Sequence, residues 1–564
     1  MSKTMEKLNN NIKGILAFAL TLVVADVWAQ SGTNLTSDKV KIEIEQSDKI
    51  NDNPVFNDSI KINSELKYGM VERKAPSTFK LKPITAPKLG TTPTEVSKLY
   101  NGFVKLGVID FKNLPFSEFN YGSKYSKDYI YSIGFNHFGS DMKVSAPARA
   151  RFTQTQLELS GKRFVKNYTL FGDMSYNYNT YRYYGSLFPF SEANEDLNKQ
   201  GFAMGHMQIG ASNAHRDTKI PYHKLTLDYY NIFDHYGMQE NRVAFNGLLT
   251  SNLKALDDTK LKNLKLDVFA TLDWFTYNNS ALLKAKNSVL AMIKPVFKYR
   301  TEKFNGRLGA SVYSLQDDTS GTHVFFPLAE LEYILIKDVF VVYGKFQGSF
   351  QRYDYWEHAN TNPFFNTTMA LNNTRHFNNA FVGLRGNISS KVNFNVGLET
   401  DKMKNLPLYV NDIDTYGNSK FNIVTDQVIM SRFYGQLSLD LPKISIALKG
   451  DYRNYTTYSE LKAWQLPAIT AGFSGKYNFQ NLIFITADVY YLGGMFAREY
   501  DMDNKVVATE LPGVVDANIG FEYKYSKRLN AFVNVNNFLN KQYRRWNQYP
   551  NYGINFLAGA SYSF

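Results

Sequence analysis

Asp173, Lys265, Asp267, Asp273, Lys345, Arg385, Glu399 and Lys449 each stand on the polar parity of a run in which polar and apolar residues alternate. Alternation of period two sends the two parities to opposite faces of a strand. Gathered around a wet lumen, such a mixed set of charges ties itself into a structural network or filters charged solutes, and the network is the expected arrangement. Other chemistry has little support. The chain has no cysteine, which removes thiolate catalysis, disulfides and Cys-ligated zinc or iron–sulfur sites together. Its eight histidines show no i, i+2 or i, i+4 pairing and no HExxH, so they form no metal-ligand pattern. No G-x-S-x-G elbow occurs, and Gly493 to Met495 precedes no helix that could cradle a phosphate. No catalytic, cofactor-binding or metal-binding residue is expected, and no enzyme activity.

The elements that carry these charges read as strands throughout. Tyr168, Leu170, Gly172, Met174, Tyr176 and Tyr178 lie on one face, opposite Thr169, Asp173, Ser175 and Asn177. Leu264, Leu266, Val268, Ala270, Leu272 and Trp274 oppose Lys265, Asp267, Thr271 and Asp273 in the same way. Runs of about ten residues with this alternation, separated by turn residues, repeat to the end of the chain, as strands with lipid on one side and water on the other require. Aromatic residues make up 15% of the 564, too many for a disordered chain, yet no apolar run beyond the N-terminal region reaches the ~18 residues of a membrane helix. The net charge of +13 is spread singly along the alternating runs, so nucleic acid is not an expected partner.

Lys3, Lys7 and Lys13 precede an apolar stretch from Gly14 to Ala25, and Val27-Trp28-Ala29 supplies small residues for cleavage between Ala29 and Gln30. Residues 1–29 are thus expected to be an export signal. Residues 30–97 are polar, carry five of the 17 prolines and few aromatics, and read as an extended periplasmic arm.

Connections in 98–564 fall into two classes. Short turns at 162–167, 257–263, 300–303, 336–338, 388–391, 441–443, 478–481 and 526–528 are expected at the periplasmic rim. Longer stretches at 179–201, 276–287, 352–374, 402–427, 454–466, 493–512 and 538–551 are expected outside the cell. This alternation requires an even number of strands. With Phe202 to Ser212 descending and Tyr222 to Phe233 ascending the count is 22, within a range of 20–24. The expected fold is an all-β transmembrane antiparallel barrel, closed because an open edge in hydrocarbon leaves backbone groups unpaired. Tyr176, Tyr178, Trp274, Tyr353 and Trp356 suit an interfacial girdle. The tyrosine-rich stretches Tyr181 to Tyr184 and Tyr353 to Trp356 suit either ligand or lipoprotein contacts or the rim itself.

The run Asn534 to Tyr543, NVNNFLNKQY, followed by GINFLAGASYSF, resembles the end of TonB-dependent receptor barrels, and Tyr562 and Phe564 look like the terminal signal read by the barrel-assembly machinery. The opening KLYNGFVKLGVIDF looks like that of plug-lacking receptor-like barrels of the Bacteroidetes. The resemblance implies an outer-membrane, receptor-like barrel with outer-membrane lipids and the assembly machinery as partners, and TonB as an open question. It departs from the family pattern before residue 98, where the composition is not that of a globular plug. Two functions follow as expectations: passage or binding of solutes at the cell surface, or a structural and assembly barrel that scaffolds surface or periplasmic lipoproteins.

Overall fold

The computed structural model describes residues 100–564, apart from 110–111, 125, 143, 145–149, 186–198, 214–219, 254–262, 280–283, 319, 338, 353, 370 and 413–419. The export signal with Ala29 and Gln30 and the arm 30–97 lie outside the described residues. Twenty-two antiparallel strands form one sheet in which each strand pairs with the next in sequence, a continuous meander. The ring is closed by the first strand, Gly102–Ile109, which pairs with the last, Asn555–Ser563, from Phe103↔Ser563 to Ile109↔Leu557. Gly102 N donates to Phe564 O at 3.2 Å and Phe564 N returns the bond to Gly102 O at 2.9 Å. No edge is left, as hydrocarbon surroundings require. The strands Lys199–Asn213 and Tyr222–Asp234 are the pair that makes the count even.

Parity assigns the two faces. Leu170, Met174 and Tyr176 are exposed, as are Leu225, Phe245 and Leu272 on strands further round, so one parity of the wall is an exposed apolar belt. A soluble protein rarely exposes a contiguous apolar patch above a few hundred Å². This belt surrounds a closed cylinder, and the molecule is an outer-membrane-type barrel. Tyr176, Tyr178 and Trp274 stand outward on the same parity.

Both chain ends of the barrel lie at one rim, called here the turn rim. Its connections are tight. In the three-residue turn between Phe479 and Ile483, Gln480 and Asn481 both take left-handed φ, 54° and 55°, and Leu482 N donates to Phe479 O at 3.0 Å. The opposite, loop rim carries the long connections. Here one expectation is corrected. The stretch 402–427 is not a loop in the main, because the strands Val392–Asn411 and Phe421–Asp440 run on in register from Leu406↔Asp426 to Asn411↔Phe421. Twenty residues exceed what a tilted wall needs, so this hairpin rises beyond the belt. It persists because Leu406, Leu408, Val410 and Val428 find a dry core with Trp464 and Tyr455.

Candidate functional site: the strapped mouth of the barrel

The connection between the strands Phe340–Gln351 and Thr374–Ser389 folds inward across the loop rim. It begins with a helix, α1 (Tyr355–Thr361), whose N-cap Asp354 accepts a hydrogen bond from Glu357 N at 2.8 Å. An acidic N-cap satisfies one of the otherwise orphaned N–H groups of the first turn. Seven residues make a marginal helix in isolation, so its stability comes from the face it buries: Tyr355, His358 and Ala359.

That face is received by the barrel wall. The Tyr355 ring stacks on Tyr277 with centroids 4.9 Å apart and planes 3° apart, and Tyr355 N donates to the carboxylate of Glu240 at 3.2 Å. Glu240 is fully buried and also accepts from Tyr230 OH at 2.6 Å. His358 Nδ1 lies 2.8 Å from Tyr409 OH. Burial alone pushes the His358 imidazole down to about 3, so it is neutral at physiological pH.

Beyond the helix the chain crosses to the far side. Phe365 stacks on Phe202 of the sixth strand, centroids 5.9 Å apart. Its backbone neighbours pair with the sixteenth strand: Phe421 N donates to Phe364 O at 3.0 Å, and Asn366 N donates to Phe421 O at 2.7 Å. The last connection closes from a third direction, since Tyr549 stacks on Phe364 at 3.8 Å and Trp546 meets Tyr409 edge-on at 5.2 Å. Fifteen buried residues, including Tyr183, Ile232 and Met238, join in this one cluster. We call the segment 354–369 the strap.

Ion pairs anchor the root of the strap. Arg352, where the connection leaves the wall, lies 3.6 Å from Asp273, which also receives Arg242 Nη2 at 2.9 Å. Arg242 reaches Asp354 at 4.0 Å. Asp273 is 1% exposed, so two guanidinium groups are held against one buried carboxylate.

The other lumen charges divide by environment. Asp267, buried, pairs with Lys298 Nζ and accepts from Thr250 at 2.9 Å. Lys345 shares Glu330 with Arg307, and Arg385 pairs with Glu332 at 2.8 Å. Glu399 and Asp451 hold Arg432 between them, at 3.0 and 2.6 Å. Asp173, Lys265 and Lys449 stand on the inward parity and are exposed. Tyr562 and Phe564 project outward on the closing strand, where Phe564 stacks on Phe119 and Tyr121.

Sequence reasoning placed Trp356 in the membrane girdle. The structure instead packs it against the strap cluster, and Tyr353 lies outside the described residues. Tyr181, Tyr183 and Tyr184 are likewise turned inward: Tyr183 is 1% exposed and Tyr184 meets Tyr549 at 4.8 Å. These rings hold the mouth together and are not free to grip a ligand from outside. The strap itself was not foreseen, although Asp354 followed by Glu357 is a helix-start signal of the capping kind.

No family model and no curated protein sequence matches the chain. Solved structures do. The FrpB iron transporter from Neisseria meningitidis (F3-3 variant) aligns with a TM-score of 0.64 at 10% identity, covering 83% of this chain and 82% of that one. The siderophore receptor PirA from Acinetobacter baumannii aligns at 0.62 and 13%, covering 82% and 80%. The pyoverdine receptor FpvA from Pseudomonas aeruginosa PAO1 aligns at 0.62 and 12%, covering 82% and 78%. At such identities the likeness is one of architecture, and it agrees with the strand count, the closure and the apolar belt: the chain carries the 22-strand barrel fold of TonB-dependent outer-membrane receptors.

Proposed function

We propose that this protein is an outer-membrane receptor-like barrel that binds a solute at the cell surface and passes it through a lumen gated by its strap. The loop rim faces outside, the turn rim faces the periplasm, the lumen charges Glu330, Glu332 and Glu399 are held in ion pairs along the wall, and the exposed inward residues Asp173, Lys265 and Lys449 meet the passing solute. The observation that carries this reading is the strap. A wall of 22 strands encloses a lumen roughly 40 Å across at ~4.8 Å per tilted strand, and at the loop rim the strap fills the space between Phe202 and Phe421, touching both. An unobstructed cylinder of that width leaks, so an infolded loop that meets both walls is a gate. The fold shared with iron and siderophore receptors makes ferric chelates the first solute class to test. TonB enters this reading only if the arm 30–97 reaches it, and Tyr562 with Phe564 serve assembly.

A scaffold for lipoproteins is the second reading. It is favoured by apolar side chains left exposed on the loop rim, Tyr458, Leu461 and Met502.

The test is antibiotic entry. Cells producing a chain with 355–369 replaced by a short Gly-Ser linker should become sensitive to large antibiotics that the wild-type barrel excludes. Unchanged exclusion, with the variant barrel assembled, would contradict a gating strap and favour the scaffold.

A further inference from the structure

The strongest unassigned feature is a row of positive charge inside the lumen, near the turn rim. Lys265, Lys298, Arg307, Glu330 and Lys345 are successive cross-strand partners on the ninth to thirteenth strands, residues 264–351, so four cations and one carboxylate stand side by side. At ~4.8 Å per strand the row runs roughly 19 Å around the wall. Like charges directly across a sheet are unfavourable, and Lys265 against Lys298 and Lys298 against Arg307 are two such pairs.

The acids nearby are too few to neutralise it. Arg307 and Lys345 share Glu330, at 2.5 and 3.7 Å, and Asp267 is taken by Lys298. Lys294, a further inward cation on the same strand as Lys298, feels the charges of Arg307, Glu330 and Lys345 and forms no ion pair among the described residues. Arg307 Nε is buried with no hydrogen-bond partner among the described residues. A buried donor left unpaired is costly, so it marks a place that a further group completes.

Beside the row there is room for that group. Lys265, Arg300, Asn252 and Asn305 line a cavity of about 730 Å³ at the turn rim. Lys265 and Arg300 are exposed and form no ion pair among the described residues. Glu332 also borders the cavity but accepts from Arg385 at 2.8 Å and from Asn305 at 3.1 Å, which leaves Glu302, in the turn, as the remaining acid. Other parts of the wall are charged differently. Ser160, Asp173, Gln208 and Asp228 form a row on the fourth to seventh strands with two carboxylates and no cation.

We propose that the row and the cavity beside it form a binding site for a multiply charged anionic solute, whose phosphate or carboxylate groups are held by Lys265, Arg300 and Arg307. Arginine forks match the oxygens of either group in pairs, and a lysine adds a compact charge. An anion set among like charges turns their repulsion into attraction. Exposed charges are screened by salt, so the affinity falls as ionic strength rises. The inference rests on the reading that the lumen is a solute path, and it adds the sign of the solute's charge: among chelates, the site selects the anionic ones.

The experiment is equilibrium dialysis of the full chain in mild nonionic detergent, at low salt, against tripolyphosphate, citrate and the neutral sugar maltotriose. The site lies at the rim away from the strap, so binding there does not depend on gating. The wild type should hold the anions and not the sugar, and the two anions separate phosphate from carboxylate as the preferred group. Lys265→Gln combined with Arg300→Gln, both exposed positions, should weaken anion binding about tenfold, as the loss of two charge-assisted contacts implies. Lys162→Gln, an inward cation on the fourth strand, should leave it within about twofold. A wild type that binds neither anion, or binds the sugar as well, or a double variant that binds like the wild type, would overturn the site. Heat-modifiable migration confirms that each variant is a barrel. Conductance of the barrel with 355–369 replaced tests the solute path separately, so a lumen that binds anions and never conducts counts against the path and not against the site.

Discussion

Phe365 lies parallel to Phe202, ring planes 4° apart, while the backbone on either side of it is bonded to Phe421. Phe202 belongs to the sixth strand and Phe421 to the sixteenth, ten positions apart in the strand order of a ring of 22. One phenylalanine thus joins two walls that have no sheet contact. The tie lies outside the pairing that closes the sheet, so wall and strap should respond differently to substitution.

Phe365→Ala removes a fully buried ring from the centre of the strap. Truncations of this kind cost about 3–5 kcal/mol where the site cannot collapse. The loss should fall on the strap alone. Hydrogen exchange of 355–369 should rise by at least tenfold while the wall strands keep their protection, and the heat needed to unfold the barrel in detergent gels should not change.

The strap should loosen in acid. Burial holds His358 at about 3, well under its ordinary 6.5. A base depressed in the folded state contributes stability that is complete above its unfolded value and is lost as pH falls from 6.5 toward 3. Exchange of the strap amides should therefore increase between pH 6 and pH 4, after correction for intrinsic rates, and His358→Gln should flatten that dependence.

Asp273→Asn and Asp173→Asn should differ sharply. The first leaves Arg242 and Arg352 facing one another without their shared buried carboxylate, a loss of about 3–5 kcal/mol, seen as a loosened strap root. The second alters an exposed inward carboxylate and should change stability by less than ~0.5 kcal/mol while shifting cation-over-anion preference in a strap-opened barrel. Thermal melting and reversal potentials measure the two effects.

Closure of the ring depends on close backbone approach at the seam. A Cβ on Gly559 would stand 2.0 Å from Leu106 O and 2.7 Å from Gly107 Cα, both on the first strand. Gly559→Val should block this pairing, so that the chain fails to reach the compact heat-modifiable form, whereas Ala558→Val, with its backbone partners intact, should assemble.

Strand number and inward parity were legible because they rest on period two, which lipid on one side and water on the other impose on every strand. Asp267 and Glu399 fell on the polar parity for that reason, although nothing in their spacing revealed Lys298 or Arg432 as partners, which come from neighbouring strands. The hairpin above the membrane was misread as a loop because twenty-residue strands exceed the bilayer, even though Leu406, Leu408 and Val410 already alternate. The strap was illegible for a different cause. Seven helical residues are too few to show a 3.6 period, and the rings that receive Tyr355, Phe364 and Phe365 lie far away in sequence, at Tyr277, Tyr549 and Phe202.

Single-channel recording in planar bilayers tests the central claim most directly. The wild-type barrel should be silent or show only brief small openings, and the chain with 355–369 replaced by a Gly-Ser linker should conduct in large, steady steps. A wild type that conducts fully, or a strap-deleted barrel that inserts and stays silent, would contradict it.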